Sequence, residues 1–362
     1  MIIAVRYSSY TGCSGAMAIN GNAMDEKSGK LIGQLLALVI RRDKYMNTIT
    51  VLTGQITLFV IYILTGVLLI RTRVLNRENL EVISKLVIKL ALPVMIFINT
   101  INGVERKTLF HSLSILVIAV YMYLFLFGIS YIAGKFLHLQ GDHAQLYSAM
   151  SAFGNVGFMG IPIVTSIYPE NGMLYMSVFT IIDQLMLWTV GVRLTSKKTA
   201  ESGSRGAETK CFQVKKLVNP VTVAIFLALL CVLTGISLPE ILNTACMKIG
   251  GTATPLSMIY LGGIFASINA TKYLKQVDYY GIVITKMLIF PVLFYLFLGI
   301  FPISMEIRVA MTLVSAMPVM ASVVMMANTY GTDGDYAMGG ILITTLCSIV
   351  ILPFVYWILQ FI

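Results

Sequence analysis

The sequence predicts an all-α polytopic membrane protein, with ten transmembrane helices in two inverted five-helix repeats whose helices 4 and 9 are broken. Three observations predict it. Of 362 residues, 57% are hydrophobic and only 12% charged, about half the charged share of a soluble domain. The apolar residues gather into ten segments of membrane-crossing length. Glycine and proline recur at corresponding places in the two halves.

The segments run over 49–70, 80–101, 110–134, 145–167, 172–194, 217–236, 247–268, 279–301, 308–330 and 337–361. About 20 helical residues cross roughly 30 Å of hydrocarbon. One polar stretch, "TSKKTAESGSRGAETKCFQVKK" (195–216), interrupts the pattern. It separates a first repeat, 49–194, from a second, 217–362.

Basic residues orient the segments. With 195–216 cytoplasmic, alternation puts 71–79, 135–144 and 269–278 on the same side. These loops carry Arg71, Arg73, Arg77, Lys135, Lys272 and Lys275. The long loop and its edge add Arg193, Lys197, Lys198, Arg205, Lys210, Lys215 and Lys216. The opposite loops hold Arg106 and Lys107, with Lys248 and Arg308 at helix edges. Positive charge collects on the cytoplasmic side, so both termini are expected outside. The net charge of +10 follows from this asymmetry and predicts no nucleic-acid partner.

The first 45 residues break the rule. Arg6, Lys27, Lys30, Arg41, Arg42 and Lys44 lie on the side that should be poor in positives, and "LIGQLLALVI" (31–40) is too short to span. Arg41-Arg42 can be encoded as AGGAGG, a ribosome-binding sequence, three codons ahead of Met46. Residues 1–45 are therefore expected to be translated leader, with the natural start at Met46. A genuine cytoplasmic or interfacial extension is the competing reading, and the arginine codons decide between them.

The halves echo one another. "KLALPVMIFINTI" with Pro93 corresponds to "GTATPLSMIYLGGIF" with Pro255, and "GNVGFMGIPIV" with Pro162 to "SAMPVMASVVMMANTYG" with Pro318. Five helices per copy means that the second copy enters the membrane from the opposite side, the signature of an inverted repeat, and interrupted segments at matching positions point to a transport site. Gly154, Gly157 and Gly160 permit unwound backbone and close helix approach, while Pro162 removes a donor. A broken helix leaves N–H and C=O groups that are tolerable at membrane depth only inside protein or around a wet cavity. Its half-helix ends also aim partial charges at that cavity.

These residues carry a resemblance. "SAFGNVGFMGIPIVTSIYPENG" and "TIIDQLMLWTVG" resemble the fourth and fifth helices of the auxin efflux carrier family, which includes plant PIN-type carriers and bacterial malonate and malate permease-like proteins. "GTATPLSMIYLGG" resembles its seventh helix, "SAMPVMASVVMMANTYGTDGDYA" its ninth and "LPFVYWIL" its tenth. The resemblance covers about 49–362. It implies a scaffold domain and a transport domain that moves elevator-like and carries the two crossed helices. It also implies substrate binding at Asn155, at the crossover prolines Pro162 and Pro318, and at Asn328, beside which the break glycines Gly154 and Gly157 are expected to take part. No acidic residue precedes Gly331 in the ninth helix, so no carboxylate ion site is expected there.

Charges inside the segments complete the candidates. Asp183 lies near the middle of the fifth segment with Gln184 beside it, Lys89 is in the second and Lys286 in the eighth. Such residues are costly in lipid and mark function by default, although Asp183 paired with a lysine would equally make a scaffold bridge. Lys85 and Lys89 share a face with Glu81 and Pro93. The Met-rich run 317–326 is expected to be adaptable packing.

The five cysteines and three histidines have no metal-ligand spacing, so no metal, cofactor or enzymatic centre is expected. No segment shows a pore-loop filter of the channel type. The expected function is secondary transport of small organic anions, such as dicarboxylates or auxin-like carboxylates, across the cytoplasmic membrane. A membrane-embedded carboxylate sensor without net transport is the alternative. Expected partners are the anion, H⁺ or Na⁺, membrane lipids and a second copy of the chain in a homodimer.

Overall fold

The computed structural model describes residues 26–103, 113–197, 220–268 and 270–362. The chain divides into two units, residues 1–50 and 51–362. In the first, residues 26–50 are helical, and 1–25 of the expected leader lie outside the described residues. The second unit consists, among its described residues, of helices joined by turns and short extended stretches. Among the described residues the only β pairings are two isolated bridges.

Among the described residues six helices are long and apolar enough to cross a membrane. They belong to α1 (Glu26–Arg71, apolar over Thr48–Arg71), α4 (Leu113–Phe136), α7 (Gly172–Leu194), α9 (Glu240–Ser267), α10 (Val277–Leu298) and α13 (Gly334–Ile358). The other apolar segments appear as shorter pieces. Helix α2 (Arg77–Leu86) passes through a π-helical turn, Val87–Ala91, into α3 (Leu92–Gly103). The fourth segment is α5 (Gly141–Ala152) and α6 (Val156–Ile167), and the sixth is α8 (Pro220–Thr234). The ninth is α11 (Met305–Ser315) and α12 (Ala321–Thr329).

Local chemistry sets the helix starts. Asn76, Ser304 and Asp333 accept the N–H of Asn79, Ile307 and Tyr336; each occupied cap satisfies one of the helix's four free donors. The apolar surface faces outward as well as inward. Leu64, Leu68, Leu124, Ile132, Phe226 and Val350 are all exposed. A helix apolar on every side suits a lipid solvent.

The polar groups sort to two ends. At one end Thr332 donates to the Thr195 carbonyl at 2.7 Å, His143 meets Asp333 at 3.4 Å, Lys272 pairs with Asp335, and Tyr336 donates to Asp278. Loops near 143, 195, 275 and 333 therefore share one end, as strict alternation requires. At the other end Asn102 meets Asn243 at 2.9 Å, and Asn171 and Tyr175 both donate to Glu306. The charges of 198–216, with Arg106 and Lys107, lie outside the described residues.

Helices α1 and α9 approach with their backbones in contact. A Cβ on Gly66 would lie 2.0 Å from the Ile259 carbonyl oxygen, and one on Gly262 would lie 1.9 Å from that of Ile63. Small residues allow such contact where lipid supplies no hydrophobic drive for association. Gly262→Val should therefore lower the melting temperature of detergent-purified protein sharply, at a cost of about 3 kcal/mol or more from overpacking. Gly54→Ala, where a Cβ meets nothing within 4 Å, should leave it unchanged or raise it, since alanine favours an exposed helix by up to about 1 kcal/mol.

Candidate functional site at the crossing of two helix breaks

The two breaks meet and bond to each other. Helix α5 stops at Ala152, and Phe153 is extended, with φ −91° and ψ 108°. Gly154 forms an antiparallel bridge with Val319. The Asn155 N–H donates to the Pro318 carbonyl at 2.7 Å, and the Met320 N–H donates to the Phe153 carbonyl at 3.1 Å. The Val319 N–H is taken by the Thr344 hydroxyl of α13 at 3.0 Å. Each break thus supplies the partners that the other lost, which is what buried backbone requires. Gly154 keeps this crossing uncrowded, because a Cβ there would sit 3.2 Å from the Met317 Cβ.

The prolines play unequal parts. Pro318 lies in its break, where its missing N–H leaves no orphan and its carbonyl is used. Pro162 does not lie in the first break. It occupies the first α-helical turn after a π-helical turn, Val156–Gly160. That wider turn makes room for a ring that would otherwise clash with the carbonyl four residues earlier. The first break is opened at Phe153–Asn155, ahead of the proline. Gly157 faces the Leu92 side chain, with 3.5 Å available to a Cβ.

Asn155 is 1% exposed, and among the described residues neither its Oδ1 nor its Nδ2 has a hydrogen-bond partner. Such a group costs about 1–3 kcal/mol unless something outside the protein meets it. A carboxamide offers two donors and an acceptor, which suits a carboxylate or hydroxyl.

Lys286 is also 1% exposed. It lies in a π-helical turn of α10, Val283–Ile289. Its Nζ donates to the Met150 carbonyl at 3.1 Å, in the last turn of α5, where the helix dipole favours a cation. A Cβ on Gly154 would lie 3.7 Å from that Nζ, so the lysine stands against the break. Asp183 is the nearby counter-charge, yet no ion pair within 4 Å links the two among the described residues. Asp183 is held instead by the Tyr123 hydroxyl on Oδ1 and by Gln184 Nε2 on Oδ2 at 3.0 Å. Gln184 Oε1 in turn accepts from the Trp188 indole at 3.2 Å. The Tyr123 ring packs 5.7 Å from Phe153, which ties this cluster to the break.

Lys89 and Asn328 stand elsewhere. Lys89 is exposed, and so is Asn328, near the end of α12. Both line one cavity of ≈ 650 Å³ with Ser84, Tyr260, Ser267 and Asp335. In this cavity Lys85 is paired with Glu81 at 2.6 Å and Asp335 with Lys272. Lys89 has no acidic partner among the described residues. Toward the crossing, the cavity narrows at a crevice of ≈ 10 Å³. That crevice shares Ser84, Ile88, Tyr260 and Met325 with the cavity and adds Phe158 and Ala321, from the first turns of α6 and α12.

The sequence-derived candidates thus fall into two groups. Gly154, Asn155, Pro318 and Lys286 come together at the crossing, with Asp183 and Gln184 behind it. Lys89 and Asn328 face the cavity. Sequence reasoning missed Tyr123, Thr344 and the Met150 carbonyl. The first two are single hydroxyls in apolar runs, and the third has no side-chain signal at all.

The profile of a family described as membrane transport protein matches residues 50–356. The uncharacterized transporter MJ1031 of Methanocaldococcus jannaschii is 22% identical over 296 residues, 79% of this chain and 92% of that protein. The uncharacterized transporter YfdV of Escherichia coli K12 is 21% identical over 194 residues, 53% of this chain and 61% of YfdV. With more than half of the chain matched and apolar helices of membrane length, the protein is a multi-pass membrane protein and belongs to the membrane transport protein family, the auxin efflux carriers that its crossover motifs resemble.

Proposed function

We propose that the chain is a secondary transporter of small organic anions, dicarboxylates or auxin-like carboxylates, in the cytoplasmic membrane. The observation that carries this reading is the ≈ 650 Å³ cavity with Lys89 unpaired on its wall. Its size suits a small ligand, and a lysine without a carboxylate partner suits an anion. Beyond the narrow crevice, Asn155 with Gly154, Gly157 and the crossover prolines would receive the substrate as the crevice opens.

The finer architecture belongs to the same proposal. The other four crossings are Arg77–Gly103, α5 with α6, α8, and α11 with α12. The antiparallel meeting of the breaks supports two inverted copies, because inversion sends matching helices through the membrane in opposite directions. The glycine-mediated contact of α1 with α9 suits a rigid scaffold against which a transport domain slides. With the basic 195–216 loop in the cytoplasm, both termini lie outside and the cavity opens inward.

Three outcomes test these assignments. Lys89→Gln should weaken anion binding about ten- to a hundredfold, the worth of a charged hydrogen bond. The loss should shrink as salt rises and screens the exposed lysine. Calorimetry against malate, malonate and indole-3-acetate reads it, and equal affinity in both proteins removes Lys89. Asn155→Ala should abolish uptake into proteoliposomes at an unchanged or higher melting temperature, because the buried carboxamide has no protein partner to lose. Binding by the wild type without any flux would favour the sensor. A cysteine placed at Arg205 should react with an impermeant thiol reagent only after cells are opened, and labelling of intact cells would invert the topology.

A further inference from the structure

Helix α5 carries His143, Tyr147 and Ser151 at four-residue spacing, a single face running from one end of the molecule to the first break. The deeper two are buried hydroxyls that close no hydrogen bond among the described residues. Tyr147 faces Ser151 and Thr285, and Gly281 brings α10 so close that a Cβ there would lie 3.1 Å from its hydroxyl. Thr285 directly precedes Lys286, and Lys286 bonds to the carbonyl of Met150, the neighbour of Ser151. At the outer end of the face, His143 stacks on Tyr336 at 4.5 Å and meets Asp333, and Tyr336 donates to Asp278 at 3.3 Å. Tyr279, beside Asp278, has another buried, unpartnered hydroxyl.

From this placement we infer that the His143–Tyr147–Ser151 face is a proton path between the aqueous end of the molecule and Lys286, so that transport is coupled to H⁺ rather than to Na⁺. The inference rests on the transporter reading above and adds the coupling ion and its route. Buried hydroxyls that are not mutually bonded retain donor and acceptor capacity for bridging water. A Na⁺ site would instead need several converging oxygens, and among the described residues Lys286 occupies this position.

The step balances as a relay. A proton from water is taken up at the His143–Asp278 end, and each hydroxyl accepts one proton and releases its own inward. The neutral Lys286 amine gains the last one as an N–H bond and becomes an ammonium. Lys286 fits both forms, because only one of the three ammonium donors has an acceptor, the Met150 carbonyl. The charged group facing it is Asp183 of α7, with Tyr123 of α4 on that carboxylate. Those facing the outer end are Asp333, Asp335 and Tyr336 of α13 and Asp278 of α10, with Lys272 on Asp335. Protonation places a new positive charge at the C-terminal end of α5, beside the break, and that is the point where it biases the crossing.

The test uses the full chain in proteoliposomes loaded with a pH-sensitive dye and supplied with malate, malonate or indole-3-acetate. Wild-type uptake should be driven by a pH gradient and accompanied by proton movement. The double variant Tyr147→Phe, Ser151→Ala should lose gradient-driven uptake and proton movement by about a hundredfold, the lower range for a positioned proton donor. Exchange of labelled for unlabelled substrate should continue, and Ser151→Thr should behave as wild type. Retained proton-driven uptake in the double variant, or wild-type uptake driven by Na⁺ without proton movement, overturns the path. Loss of exchange together with a lowered melting temperature would assign the two hydroxyls to packing and also overturn it. Absence of any wild-type flux or exchange would remove the transporter reading and the path with it.

Discussion

Two helices broken at membrane depth must find partners for the backbone groups that the breaks set free. An unsatisfied group in hydrocarbon costs several kcal/mol, and water is not there to meet it. The solution is reciprocal: Phe153 and Asn155 of one break bond Met320 and Pro318 of the other. Neither break is tenable without its counterpart. Gly154 suits this exchange, because a Cβ there would crowd the Met317 Cβ at 3.2 Å. So does Thr344, which takes the Val319 N–H left over.

The same constraint explains why a lysine is buried here. The end of α5 presents carbonyls that no backbone donor reaches, and Lys286 answers one of them from α10. A permanent charge in that place is expensive. Asp183 compensates it at a distance rather than in contact, because its own oxygens are occupied by Tyr123 and Gln184. The lysine is therefore held by a carbonyl, and its counter-charge stands beyond ion-pair distance among the described residues. Lys89 differs in kind: it is exposed and lines a cavity.

Much of this was legible in the sequence. The apolar segments are mainly helical where they are described, and the 69- and 63-residue spacings of Pro93–Pro162 and Pro255–Pro318 fall on the two segments that the structure shows interrupted. Four-residue spacing put Glu81 and Lys85 on one face, and the structure pairs them. Family membership was carried by "SAFGNVGFMGIPIV" and its partner, because glycine, asparagine and proline in an apolar run are too costly to persist without a use. Where each break opens was less legible. Pro162 looked like the breaker, yet a π-helical turn absorbs it and the chain unwinds at Phe153–Asn155, where Gly154 permits the crossing.

The sequence by itself determined the solvent of this protein, its helical class, its family and the break residues Gly154, Asn155 and Pro318, since composition and helix-breaking chemistry are local properties. Which polar residue faces which is settled only by tertiary structure. Lys89 and Lys286 look alike as single charges in apolar runs. The packing of α5 against α10 buries one at a helix end, and the space enclosed by α2, α9, α12 and α13 leaves the other beside a cavity. Tyr123 and Thr344 gave no sign in the chain, because a hydroxyl acquires its role from the backbone or carboxylate brought to it across more than twenty residues of sequence, and no local pattern records that meeting.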